Sequence, residues 1–150
     1  MIELVRTSSD HRDFITLVGL LDKELAIRDG DDHAFYAQFN KLHNIKHCVV
    51  GYYDGNPCAC GALRAMDDQQ IEIKRMFVHT SYRNMGLATQ ILQSLELWAG
   101  ELGYQKCVLE TGINQPEAIA LYYKNGYFRI PNYGQYTEVS NSLCFAKVLK

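Results

Sequence analysis

The segment YRNMGLATQIL, residues 82–92, joins an arginine and a glycine to the start of an amphipathic run. The first amides of a helix have no acceptors within the helix, and the helix dipole favours negative charge there. Gly86 lets the backbone approach a ligand closely, and Arg83 can offer a charged fork to a phosphate. The segment is therefore either a phosphate-binding loop at a helix N-terminus or a plain strand-to-helix turn with an exposed arginine.

Two common nucleotide-binding motifs do not fit this loop. It lacks the Lys-Ser/Thr ending of a Walker loop, and it lacks the first glycine of the dinucleotide-binding fingerprint. The net charge of −2 also gives no generally basic surface for nucleic acid. A nucleotide-binding or nucleic-acid-binding protein is therefore disfavoured.

The apolar spacing predicts the elements that position the loop. Strands are predicted at residues 2–6, 46–53, 58–66, 71–78, 106–112 and 142–149, and helices at 9–27, 31–42, 87–102 and 114–125. The strand before the loop, the helix after it and the strand at 106–112 form a crossover, so those two strands should be parallel. Asn114 and Glu117 resemble a capping box, with Pro116 in the first turn. The fold class is α/β with a mixed sheet.

Composition sets the remaining bounds. The 150 residues fit a single domain, 1–150. No apolar run is long enough to span a bilayer and the N-terminus has no signal region, so we expect a cytoplasmic protein without a membrane partner. The five cysteines are expected to be buried structural thiols, and no Cys/His cluster predicts a metal site.

The segments EIKRMFVHTSYRNMGLATQIL and NQPEAIALYYKNGY together resemble the GNAT N-acetyltransferase superfamily. The first contains that family's Arg-x-x-Gly-x-Gly/Ala loop at Arg83–Ala88, and the second its Asn-x-x-Ala-x-x-x-Tyr-x-x-x-Gly-Phe type helix, which ends at Tyr127. The resemblance implies a mixed, mostly antiparallel central sheet, flanked by helices and splayed between its two central parallel strands. It also implies acetyl-CoA as co-substrate, with its pyrophosphate on residues 83–88.

Residue by residue, the resemblance implies a set of cofactor-binding positions: Met76, Phe77, Val78, Arg83, Asn84, Met85, Gly86, Leu87, Ala88, Thr89, Asn114, Gln115, Ala118, Tyr122 and Lys124. Two positions depart from the family pattern. Many members have glycine where this chain has Asn84, although Asn tolerates unusual backbone angles better than most residues. The cofactor-contacting Asn of the second motif aligns best with Gln115, with Asn114 adjacent.

Acyl transfer to an amine needs a base, an oxyanion donor and an acid. Glu72 is the candidate base, because a carboxylate between Ile71 and Ile73 of a covered strand is partly buried. The alternatives are Glu110 on the neighbouring strand, a relay through ordered water, or an exposed strand face with no catalytic role. The resemblance assigns the oxyanion donor to the Met76 amide.

Tyr122 is the candidate acid. A phenol with a pKa near ~10 is a proton donor at neutral pH and suits a thiolate leaving group. Tyr122 shares a helix face with Ala118, whereas Tyr123 lies about 100° away around the helix and is less favoured. The alternative is that Tyr122 is an aromatic residue of the core whose hydroxyl is hydrogen-bonded and has no catalytic role.

The acceptor is expected to be a primary amine of a small molecule, of the amino acid or polyamine type, or of a peptide. The resemblance places its site near residues 28–36 and 129–141. Asp31 and Asp32 either attract the charge of the amine or cap the helix predicted at 31–42, and His33 is expected to be a surface residue rather than a ligand or base. The polar-aromatic loop with Tyr133, Gln135 and Tyr136 either lines a small pocket or is a plain surface loop. Arg64, Lys74 or Arg75 would suit an acceptor carboxylate if they face the cleft. The alternative function is a non-catalytic acyl-CoA-binding or partner-binding module. A monomer and a homodimer are both compatible with the sequence.

Overall fold

A computed structural model describes residues 1–29 and 45–149. Within these residues seven strands form one sheet, in the spatial order β1-β2-β3-β4-β5-β7-β6. The strands are β1 Ile2–Thr7, β2 His47–Tyr53, β3 Asn56–Ala65, β4 Gln70–Val78, β5 Lys106–Gly112, β6 Phe128–Ile130 and β7 Ser142–Val148. Every neighbouring pair is antiparallel except β4 and β5, which are parallel. The predicted fold class, a mostly antiparallel mixed sheet with two central parallel strands, is confirmed.

The α-helices in this part of the chain are α1 Arg12–Asp29, α2 Leu87–Glu101 and α3 Pro116–Lys124, and two short 3-10 helices lie at Thr80–Tyr82 and Gly134–Tyr136. Alternate residues of β2 enter different cores, since successive side chains of a strand point to opposite faces. Val50 packs into the core that contains Phe14 of α1, whereas Val49 packs into the core that contains Leu95 of α2 and Tyr122 of α3. Helix α1 therefore covers one face of the sheet, and α2 and α3 cover the other.

Two details differ from the sequence prediction. Strand β6 was not predicted, because its three residues are too few to show a periodic pattern. The predicted capping box is wrong: α3 begins after Gln115, which makes no side-chain capping bond. The Asn114 amide instead donates to the Arg28 carbonyl oxygen, and Glu117 hydrogen-bonds to the Arg28 side chain. The helix predicted at residues 31–42 lies outside the described residues.

The cysteines are buried free thiols, as predicted: Cys48, Cys58, Cys60, Cys107 and Cys144. Burial raises the pKa of Cys60 to about 12, so this thiol stays protonated at neutral pH. Among the described helices, none combines the length and apolar character needed to cross a bilayer.

Candidate active site

The parallel strands β4 and β5 separate after a short contact. They pair at three consecutive positions, the last of which joins Glu72 to Val108. Beyond Glu72, β4 continues to Val78 and keeps its pairing with β3, as in the pair Cys60 with Phe77. The other edge of β4 faces a cleft of about 610 Å³. Its backbone groups on that side are open to an extended ligand, as at the edge of any sheet.

A β-bulge in β4 marks the place where the strands part. On β3, Gly61 alone lies opposite both Arg75 and Met76, while the flanking pairs are regular. Arg75 has a φ of 60°, which is rare for a residue with a side chain. The extra residue of the bulge reverses which face of the sheet the following side chains point to. Ile73, before the bulge, packs into the core under α2, whereas Phe77, four residues later, packs into the core under α1.

The loop after β4 reaches the cleft through two left-handed residues. Asn84 has a φ of 66°, and Gly86, which has a φ of 80°, is the N-cap of α2. Gly86 has no capping side chain, so the first amides of α2 are not capped from that position. Residues 83, 84 and 86–89 line the cleft, whereas the Met85 side chain is 41% exposed and lies outside its lining. The loop thus presents a positively polarised helix end to the cleft.

Glu72 lines the cleft and contacts one side chain from much later in the chain, Tyr133, and one from its own strand, Lys74. Its residue is 6% exposed, and its Oε2 accepts a hydrogen bond of 2.7 Å from the Tyr133 hydroxyl. The Lys74 Nζ lies 4.0 Å from Glu72 Oε1. Burial lowers the pKa of Lys74, while the charge of Glu72 acts in the opposite direction. Glu110 of β5 lines the same cleft.

Tyr122 of α3 contributes a phenol to the same cleft. It is buried and lines the cleft, and its ring packs at 5.7 Å from that of Tyr127 and 6.0 Å from that of Phe145. Burial, followed by the charge of Glu110, raises its pKa above the ordinary value. The Tyr122 hydroxyl is therefore protonated throughout the neutral range, as a proton donor must be.

This arrangement joins an anion-binding helix end, an open strand edge, a buried carboxylate and a buried phenol within one cleft. The sequence model of the Acetyltransferase (GNAT) family matches residues 16–127. The chain belongs to the GNAT acetyltransferase family. Its members are acyltransferase enzymes, and the splayed parallel pair is the feature of the sheet that opens the cleft.

Comparison with individual GNAT proteins agrees with this assignment. The chain is 34% identical to a Xenopus tropicalis protein provisionally named N-acetyltransferase 14, over 75% of this chain and 54% of that protein. It also resembles the solved structure of a Klebsiella pneumoniae protein provisionally named as an acyl-CoA N-acyltransferase, with 26% identity, a TM-score of 0.84 and coverage of 100% and 99% of the two chains. A GNAT acetyltransferase from Elizabethkingia anophelis, solved with acetyl-CoA bound, has 19% identity, a TM-score of 0.71 and coverage of 99% and 98%.

The chain spans about half the length of the Xenopus relative. The likeness to the Elizabethkingia protein, at 19% identity, concerns the fold alone. These relatives therefore agree with membership of the GNAT family. The donor, the acceptor and the roles of single residues are inferred from the geometry of the site itself.

The structure brings most of the sequence-predicted GNAT cofactor residues to the cleft. Those that line it are Met76, Phe77, Val78, Arg83, Asn84, Gly86, Leu87, Ala88, Thr89, Gln115, Ala118, Tyr122 and Lys124. Of the two candidates at the start of α3, Gln115 lies in the cleft lining, whereas the Asn114 amide donates to the Arg28 carbonyl oxygen at 3.4 Å. Tyr123, the less favoured phenol, is 53% exposed and lies outside the lining.

The predicted acceptor residues differ in where the structure places them. Tyr136 and Lys74 line the cleft, and Tyr133 hydrogen-bonds to Glu72, whereas Gln135 is exposed. Arg75 lines the cleft but pairs with Asp22 of α1, and Arg64 is exposed outside it. The acidic candidates at positions 31 and 32, and the histidine at 33, fall outside the described residues.

Three charged residues line the cleft without having been named as site residues from the sequence: Glu24 and Arg28 on α1, and Glu117 on α3. Arg28 is the first residue of the segment 28–36 that the resemblance placed near the acceptor, and Glu117 was assigned to the capping box. Glu24 and Arg28 are four residues apart, which is a common solvent-exposed pairing on a helix. Nothing in the sequence indicates that this face of α1 meets the loop after β4, so no local signal could have identified Glu24.

Proposed function

We propose that this chain is an acetyl-CoA-dependent N-acetyltransferase, which moves an acetyl group to a primary amine by direct attack. The acceptor is a small molecule of the amino acid or polyamine type, or a peptide. The observation that carries the proposal is the opening between β4 and β5, which begins directly after the buried Glu72 and contains both the loop at 83–88 and Tyr122.

The residues fit the donor at both of its ends. The amides at the start of α2 suit a pyrophosphate, because they are uncapped and carry the positive end of the helix dipole. The edge of β4 at Met76, Phe77 and Val78 suits an amide-containing arm such as pantetheine, which can pair with it as an added strand. The donor supplies an activated acetyl thioester.

In the proposed reaction, Glu72 receives the proton that the amine loses, directly or through water. The Tyr133 hydroxyl donates to Oε2 of Glu72, and Oε1, which lies 4.0 Å from Lys74 Nζ, is the oxygen that we propose receives the proton. Glu110, across the same cleft, is the alternative base. The Met76 amide stabilises the charge that develops on the carbonyl oxygen. Tyr122 donates its proton to the leaving thiolate.

The test measures CoA release with a thiol-reactive dye, using acetyl-CoA with amines, amino acids and short peptides. We expect turnover with one acceptor class, and a decrease in kcat of about 100-fold in Tyr122→Phe, in line with the usual contribution of general acid catalysis. The matched control is Tyr123→Phe, which removes a hydroxyl from the exposed neighbouring tyrosine and should retain full turnover.

A second comparison separates the two candidate bases. Glu72→Gln should lose turnover if Glu72 is the base, and Glu110→Gln should lose it if the alternative is correct. In each variant, an unchanged rise in melting temperature with acetyl-CoA would show that the fold and donor binding are intact. A rise in melting temperature without turnover of any acceptor would favour the non-catalytic module. No rise in melting temperature would refute the phosphate-binding interpretation of the loop.

A further inference from the structure

The C-terminal half of α1 contacts the loop that is proposed to bind phosphate. The Arg83 Nη2 donates to Glu24 Oε2 at 2.7 Å, and Arg83 Nε donates to the Val78 carbonyl oxygen at 2.9 Å. The arginine is thus fixed at the cleft by its own strand and by a carboxylate from a distant helix. A carboxylate and a phosphate bind the same fork of an arginine, so they compete for it.

A second arginine extends this contact across the cleft. Arg28 Nη2 lies 3.3 Å from Glu24 Oε1, and it hydrogen-bonds to Glu117 of α3. Helices α1 and α3 cover opposite faces of the sheet, so their side chains meet here because β4 and β5 have separated. We call the set Glu24, Arg28, Arg83 and Glu117 the cleft network.

The cleft network contains two cations and two carboxylates, and all four side chains line the cleft. The pairs are partly exposed, with 26% exposure for the Glu24 side chain and 35% for that of Arg83. Ion pairs of this kind are weak and can be exchanged for a stronger anion. A diphosphate at the start of α2 would find both arginines within the same network, one held directly by Glu24 and one shared between Glu24 and Glu117.

We propose that Glu24 sets the affinity for the donor, because its carboxylate competes with the donor's phosphates for Arg83 and Arg28. The inference rests on the proposed function, since it requires the loop to bind a diphosphate. It predicts that removal of the Glu24 charge makes CoA bind more tightly. An anchoring role for the same ion pair predicts the opposite, because a loosened α1 would weaken the site.

The test is calorimetric titration of the full chain with CoA at low and moderate salt. Glu24→Gln should lower the Kd by about threefold, which is the range expected for a partly exposed ion pair. Glu101→Gln is the matched control: it makes the same charge change, and Glu101 pairs with Arg6 outside the cleft lining. The control variant should bind CoA as the unaltered chain does.

Variants of Arg83 test whether Glu24 acts through this arginine. Arg83→Gln should weaken CoA binding, and in that background the effect of Glu24→Gln should shrink. If the unaltered chain does not bind CoA, the proposed function fails. If it binds CoA but Glu24→Gln binds no more tightly, while its melting temperature shows an intact fold, only the present inference is overturned. An equal gain in Glu101→Gln would also overturn it, since the cause would then be net charge.

Discussion

Gly61 is the residue of β3 that makes room for the bulge beside the candidate site. A Cβ atom at this position would lie 2.7 Å from Leu95 Cδ1, 2.8 Å from Met76 Sδ and 2.9 Å from Ile91 Cγ2. Ordinary contacts between such atoms are about 3.5–4.0 Å, so Gly61→Ala would force each neighbour to move by at least about 0.5 Å. Leu95 and Ile91 are fully buried, so the core gives them little space to do so.

The expected magnitude follows from two opposing effects. Overpacking of a core costs about 1–3 kcal/mol. Replacement of glycine by alanine lowers the conformational entropy of the unfolded chain, which stabilises the folded state by about 0.4–1 kcal/mol. The net loss in the free energy of unfolding is therefore about 1–2 kcal/mol, or a fall of about 5 °C in melting temperature for a chain of this size. Because Met76 is among the displaced residues, kcat should fall as well.

Urea and thermal unfolding would measure this loss, with Gly19→Ala as the matched control. Gly19 lies within α1, and a Cβ added there meets no atom within 4 Å. Alanine should therefore stabilise that position by about 0.5–1 kcal/mol, through helix propensity. If Gly61→Ala unfolds at or above the temperature of the unaltered protein, the packing argument is refuted.

Two further predictions concern the strain at Asn84 in the loop and the loss of stability at alkaline pH. Asn84→Ala should lower stability by about 1 kcal/mol relative to Asn84→Gly, because only glycine adopts a φ of 66° without strain; calorimetry of both variants, with and without acetyl-CoA, would check this. Tyr52 donates to Asp13 Oδ2 at 2.6 Å, and burial together with this bond raises the pKa of Tyr52 to about 12. Since this pKa exceeds the unfolded value of about 10, the resulting stability is complete below pH 10 and is lost as the pH rises towards 12. Urea unfolding between pH 9 and pH 11 should show a shallower decline in Tyr52→Phe, and an unchanged slope would contradict this.

Local patterns were sufficient for most of the fold. The apolar spacing of β4 and the amphipathic run of α2 are both local patterns of the sequence, and the corresponding elements are present. The capping box at Asn114 failed because its side chains have tertiary partners on α1. A rule that uses only neighbouring residues cannot take account of these tertiary partners. Strand β6 was missed for a different reason, because three residues are too few to show a periodic pattern.

The sequence by itself determined the order of the described helices and of every strand except β6, the family resemblance, and the chemical types of Glu72, Tyr122 and the loop at 83–88. These depend on spacing along the chain. Only the tertiary structure decided that Tyr133 holds Glu72, that Gln115 rather than Asn114 lines the cleft, and that Glu24 pairs with Arg83. Each of these depends on residues far apart in sequence, which are brought together at the cleft where β4 parts from β5.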